Sequence, residues 1–213
     1  MARYQGKITN YLIAATVVIY VLQLAFSGVP APNKEMDIFT YYFAFTPNMA
    51  LAHPWTFVTA IFLHDTSNLF HILLNMFALW MFGPLLEAKI GQKRYLGLYF
   101  ATGILGNAGF MLLSPNPAIP GLGASGAIYG LLGALAVLEP NLVVYMFFMV
   151  PMPLWMAAIA WTLFNLAGTV FDLAGGIGYS AHLAGIVAGA IYAYTLRKKT
   201  KSIYEEYGLE EYM

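Results

Sequence analysis

Charged residues divide this 213-residue chain into apolar stretches long enough to be measured against a bilayer. None lies between Lys7 and Lys34, Asp65 and Glu87, Arg94 and Glu139, Glu139 and Asp172, or Asp172 and Arg197. A spanning helix takes roughly 20 apolar residues. Each gap holds one, and the third holds two, broken by Pro115, Pro117, Pro120 and Gly121, which cannot continue a helix. The pattern predicts six helices, at about 8–26, 68–86, 95–113, 124–138, 154–171 and 180–196, forming one all-α membrane domain over 1–213. Residues 38–64 are also uncharged, but they contain Pro47, His53 and Pro54 among many aromatic side chains. Residues 27–67 therefore read as a long structured loop at the outer interface, where Trp and Tyr prefer to sit. A seventh, poorly made span is the competing reading. Residues 143–153 end in Pro151 and Pro153 and read as an interfacial or extended piece before the fifth helix.

Composition strengthens the membrane reading. Hydrophobic residues make up 60% of the chain and charged residues 9%, against roughly 25% charged in soluble proteins. Ten Lys plus Arg balance ten Asp plus Glu, so no basic face is available for nucleic acid. There is no cysteine, which excludes disulfides and thiol chemistry. Six spans gather Arg3, Lys7, Lys89, Lys93, Arg94, Arg197, Lys198, Lys199 and Lys201 on one side and leave only Lys34 opposite. The positive-inside rule then makes both termini and a tail at 197–213 cytoplasmic. The first apolar stretch is read as a retained helix rather than a cleaved signal.

In lipid the informative residues are polar ones inside spans. His71 lies sixteen residues before Glu87, Ser125 fourteen before Glu139, and His182 fifteen before Arg197. At 1.5 Å per residue all three sit about 21–24 Å from the inner edge. Helix four carries Gly126 and Gly130, and helix six carries Ala181, Gly185 and Gly189 at the same four-residue interval. Such small-residue faces let helix backbones approach closely. Ser125 and His182 stand beside that seam, as a nucleophile and its general base must. Asn75 is one turn deeper than His71 on the same face. With the amide at the start of helix four, beside Gly123, these two donors could stabilise an oxyanion. Tyr129 lies one turn below Ser125 and could orient an imidazole. Each residue also has a plainer reading: a back-bonded serine, a packing histidine, an interhelical Asn75, a core-filling Tyr129. Asp65 and Asp172 fall in loops, so a serine–histidine dyad is expected, with no cofactor. His53 and His64 are placed in the outer loop, and no metal site is expected.

The run Gly123, Ser125, Gly126, Tyr129 and Gly130, the pair His71 and Asn75, and the run Ala181, His182 and Gly185 resemble the rhomboid family of intramembrane serine proteases. The resemblance covers essentially the whole chain. It implies a six-helix bundle whose active site opens outward, with Ser125 the nucleophile, His182 the base, His71 and Asn75 the oxyanion-hole side chains, and Tyr129 against the histidine. Glu87 fits the family's acidic residue after the second helix. One departure is Thr56 after Trp55, where family members often carry arginine. Substrates would be transmembrane segments of other membrane proteins, unwound locally before cleavage. Helix five is the candidate gate, with Gly168, Gly175, Gly176 and Gly178 as hinges. The chain reads as a minimal core in a prokaryotic plasma membrane. The alternative is a rhomboid-like protein that binds clients without cutting them, whose members typically lack the serine or histidine.

Overall fold

The computed structural model describes residues 6–33, 36–146, 149–171, 173 and 178–197. Six helices of 14 residues or more dominate it: α1 (Lys7–Phe26), α4 (Leu69–Ile90), α5 (Gln92–Leu113), α6 (Ser125–Leu138), α7 (Leu154–Phe171) and α8 (Tyr179–Leu196). Short helices α2 (Ile38–Phe43) and α3 (Thr56–Thr59) lie between α1 and α4. Strands β1 (Val143–Met146) and β2 (Val150–Pro153) precede α7. By length and composition α1, α4, α5 and α7 are each able to cross a membrane. Their outward faces are apolar and exposed, as at Val18, Leu74, Leu105 and Leu163, which is how a helix solvated by lipid reads.

Helix α6 is the centre of the bundle. Nine of its 14 residues are buried. It meets α8 through glycines: a Cβ at Gly185 would run into the Gly126 carbonyl, and one at Gly189 into the Gly130 carbonyl. A Cβ at Gly133 would likewise collide with the Ile186 carbonyl. Gly126 faces Ala181, as the four-residue spacing predicts. A third small-residue face escaped the sequence reading. Gly103, Gly106 and Gly109 line α5, where added Cβ atoms would lie 3.1 Å from the Ala181 and Ser180 carbonyls at Gly106 and Gly109. The α5, α6 and α8 backbones therefore touch one another. In lipid, that packing supplies association energy which the hydrophobic effect does not.

The end of the bundle opposite Ser125 is fixed by buried charge. Glu87 is fully buried, and its carboxylate accepts the backbone N–H of Ile8 and Thr9 and the Thr9 hydroxyl, each at 2.9 Å. It satisfies first-turn amides of α1 that have no partner within the helix. Lys89 pairs with the buried Glu139 at 2.5 Å, joining the ends of α4 and α6.

These contacts correct one boundary. The sequence pattern stops helix two at 86, just before the charge, but α4 continues through Glu87 to Ile90 and carries Pro84 inside it. Glu87 marks contact with α1 rather than the edge of water. The reversal into α5 comes at Gly91, whose φ of 81° is open to glycine at little cost. Helix α5 consequently starts at Gln92 instead of 95.

Residues 143–146 and 150–153 are extended, as the sequence predicts, and the two strands pair antiparallel, with Val143 opposite Pro153 and Met146 opposite Val150. The region between α1 and α4 contains no helix longer than six residues among those described. Asp37 caps α2 by accepting from the Phe39 and Thr40 amides. The Trp55 indole donates to the Tyr42 carbonyl at 2.7 Å, and Thr59 Oγ1 donates to the Phe43 carbonyl at 2.7 Å. Thr56, at the departure from the family pattern, donates to the His53 carbonyl. Gln23 clamps His64 by both backbone groups, accepting its N–H and donating to its C=O. Gly168 packs against the Tyr179 ring, where an added Cβ would collide. Arg3, Lys34, Asp172, Gly175, Gly176 and the tail at 198–213 lie outside the described residues.

The glycine seam makes a paired prediction. Gly189→Ala adds only the atom that would strike the Gly130 carbonyl, and it is expected to destabilise the fold by about 1–3 kcal/mol. Gly97→Ala, at an exposed α5 position with nothing within 4 Å of the added Cβ, is expected to be neutral or to stabilise by up to about 1 kcal/mol. Unfolding midpoints of the two variants in detergent check this; equal midpoints would exclude the close approach.

Candidate active site

Three helices begin at one place. Ser125 is the first residue of α6, His182 the fourth of α8, and His71 the third of α4. Each of these helices therefore points its positive dipole end toward the same region. Ser125, His71 and His182 are half-buried, so the site remains reachable.

The serine and histidine are in hydrogen-bond contact. Ser125 Oγ lies 2.7 Å from His182 Nε2. The other ring nitrogen, Nδ1, lies 2.9 Å from Oδ1 of Asn165 on α7. The Asn165 amide nitrogen donates to the Trp161 carbonyl at 2.8 Å, so its oxygen is the atom that faces His182. That oxygen is an acceptor only, which places a proton on Nδ1 and leaves Nε2 free to accept from Ser125. The Tyr129 ring stacks on the imidazole, with centroids 4.4 Å apart and planes 14° apart.

His71 is held in the complementary tautomer. The Asp65 backbone N–H donates to His71 Nδ1 at 3.2 Å, so the proton resides on Nε2. Nε2 comes close to Gly123, where a Cβ would lie 2.9 Å from it and 3.8 Å from Ser125 Oγ. Gly123 also has a φ of 126°, a conformation that side chains rarely adopt. Two constraints thus require glycine there. Ala124 precedes α6 and supplies no capping side chain, so the first-turn amides of α6 are left for an external acceptor. Asn75 donates one amide hydrogen to the His71 carbonyl at 2.8 Å; its amide has a second to offer.

Sequence reasoning missed two neighbours. Asn165 was overlooked because the search for a third member considered carboxylates, although it is the one amide side chain in the fifth predicted helix. His64 was placed in the outer loop, apart from the site. It is instead fully buried, with its ring centroid 5.0 Å from that of His71. Burial, with His71 adjacent, lowers its pKa to about 3, so it is a neutral wall of the site at physiological pH. Asp65, beside it, is held below the usual carboxylate range by the Ser67 hydroxyl. His53 lies away from this cluster, stacked on Trp55. Among the described residues no group of three His, Cys, Asp or Glu side chains is arranged to hold a metal.

Comparisons with known proteins give the chain a family. The Rhomboid domain family matches residues 51–199. The "Rhomboid protein 1, mitochondrial" of Saccharomyces cerevisiae is 37% identical over 134 residues, covering 60% of this chain and 38% of that protein. The "Putative rhomboid protease YdcA" of Bacillus subtilis is 32% identical over 130 residues, 59% of each chain. The "Inactive RHOMBOID-like protein 8" of Arabidopsis thaliana is 35% identical over 81 residues, 38% of this chain and 22% of that one. The chain thus spans less than two thirds of these relatives. The yeast relative is mitochondrial by name, so the expectation of a prokaryotic plasma membrane draws no support from it. The family match covers more than half of the chain and includes His71, Ser125, Asn165 and His182 alike: this integral membrane protein belongs to the rhomboid family.

Proposed function

We propose that this rhomboid protein is a serine endopeptidase that cuts transmembrane segments of other membrane proteins. The observation that carries the reading is the 2.7 Å contact between Ser125 Oγ and His182 Nε2. In this mechanism Ser125 attacks the peptide carbonyl carbon while His182 Nε2 takes its proton. The carbonyl oxygen becomes an oxyanion facing the first-turn amide of α6, with His71 Nε2–H and the second Asn75 amide hydrogen as further donors. The proton on Nε2 passes to the departing amide nitrogen, and the C–N bond breaks. Water, deprotonated by His182 Nε2, then attacks the acyl carbon; the C–Oγ bond breaks and the proton returns from Nε2 to Ser125 Oγ.

The proposed setting is a bundle of six spans, α1 and α4 to α8, with basic ends on the cytoplasmic side. Helix α6, at 14 residues, is about 21 Å long, well short of a hydrocarbon core of about 30 Å. Ser125 therefore sits below the outer surface, and water reaches it past residues 114–124. A substrate helix shields its own peptide bonds, so a segment with helix-breaking residues is the favoured client. Helix α7 is the proposed gate: its buried positions are only Leu154, Ala157, Asn165 and Gly168. Retention of both serine and histidine favours the protease over a client-binding rhomboid that does not cut.

Two outcomes are expected. The purified protein cleaves a tagged single-pass substrate and is labelled by a serine-directed fluorophosphonate, whereas Ser125→Ala does neither. Equal cleavage by both proteins would sink the assignment. Asn75→Ala is expected to lower kcat on the order of 100-fold, the usual cost of one oxyanion donor, with KM changed less than about threefold; unchanged kcat would remove Asn75 from the oxyanion site.

A further inference from the structure

We infer that Asn165 is a positioning residue for this reaction, fixing from α7 the tautomer of His182 that can accept the Ser125 proton. The inference rests on the protease reading above and adds to it a residue borne by a third helix. Three observations carry it. The Asn165 oxygen lies 2.9 Å from His182 Nδ1. Its amide orientation is fixed independently, because Nδ2 donates to the Trp161 carbonyl one turn back. Asn165 is also 1% exposed on a helix whose other faces are largely turned outward, as at Ile159, Leu163 and Leu166.

A neutral imidazole has two tautomers, and only the one protonated at Nδ1 leaves Nε2 as a base. A buried acceptor at Nδ1 selects that form, since the other would place two lone pairs against each other. It also accepts from Nδ1–H after Nε2 has taken the serine proton, keeping the ring from turning away. A carboxylate would do the same, but an ionised group at this depth carries a heavy desolvation cost. An amide provides the oxygen without the charge. One of its two amide hydrogens is held by the helix that bears it, and the Tyr129 side chain hydrogen-bonds to the same amide group.

The neighbouring polar groups of α7 do not share this role. Thr162 donates to the Ala158 carbonyl and Thr169 to the Asn165 carbonyl, both within α7. The Tyr129 ring covers the face of the imidazole rather than its edge.

The test compares wild type with Asn165→Leu, which keeps the volume and removes the acceptor, and Asn165→Asp, which keeps an acceptor oxygen. Cleavage of the tagged substrate is measured for all three. In parallel, 15N spectra of histidine-labelled protein, assigned by difference against His182→Ala, report which ring nitrogen carries the proton. Asn165→Leu is expected to lose about 10–100-fold in kcat with KM within about threefold, and its His182 signals should lose the uniform Nδ1–H pattern of wild type. Asn165→Asp should restore kcat to within about tenfold of wild type. Wild-type kcat in Asn165→Leu, or an unchanged tautomer in it, would overturn the inference. So would equal losses in the Leu and Asp variants with unfolding midpoints like wild type. A wild-type protein that cuts nothing would refute the protease reading alone, because the tautomer measurement needs no turnover.

Discussion

The distance between the α6 and α8 backbones is the constraint on which everything else rests. Ser125 and His182 are side chains of ordinary length on separate helices, and they meet only because Gly126, Gly130, Gly185 and Gly189 leave the backbones in contact. A single methyl group at the seam would push the helices apart by more than a hydrogen bond tolerates. The glycines of α5 extend the same close contact to a third backbone at Ala181, the residue before His182. Packing energy and site geometry are therefore one property of these positions, not two.

A seam of small residues holds helices close but does little to set their register along the axis. The polar contacts supply that. Glu87 fastens α4 to the start of α1, and Lys89 reaches Glu139 at the far end of α6. Breaking either would strand a buried charge, which costs far more than the intact pair contributes. At the opposite end Gln23 and Asn107 fix the loop backbone at His64 and Phe57. Axial slippage of α4 against α6 would separate His71 from Gly123, so these remote contacts bear on the site.

Much of this arrangement was legible in the sequence because charge is so scarce. The limits of α1, α7 and α8 fell within one residue of the charge-gap pattern, and Ser125 and His182, which the sequence set beside the glycine seam, lie in hydrogen-bond contact. Where the reading failed, it failed by treating every charge as a sign of water. Glu87 is sheltered by α1, so α4 runs past it. Asn165 was missed for the related reason that polarity was sought in formal charges. The β1–β2 pairing was hidden because apolar residues interrupted by proline carry no strand period. Gly103, Gly106 and Gly109 recur at three residues, not the four that drew attention elsewhere.

The convergence of three helix N-termini has a consequence for encounter as well as for chemistry. The groups gathered there include serine, amide side chains, imidazoles and backbone N–H, and the chain as a whole carries a formal net charge of +0. Such a site attracts a developing anion only at contact distance; it projects little field into its surroundings. Under the proposed protease reading, a partner in the same bilayer is met by lateral diffusion and sorted by whether its backbone can be presented, with ionic strength a weak influence on either step.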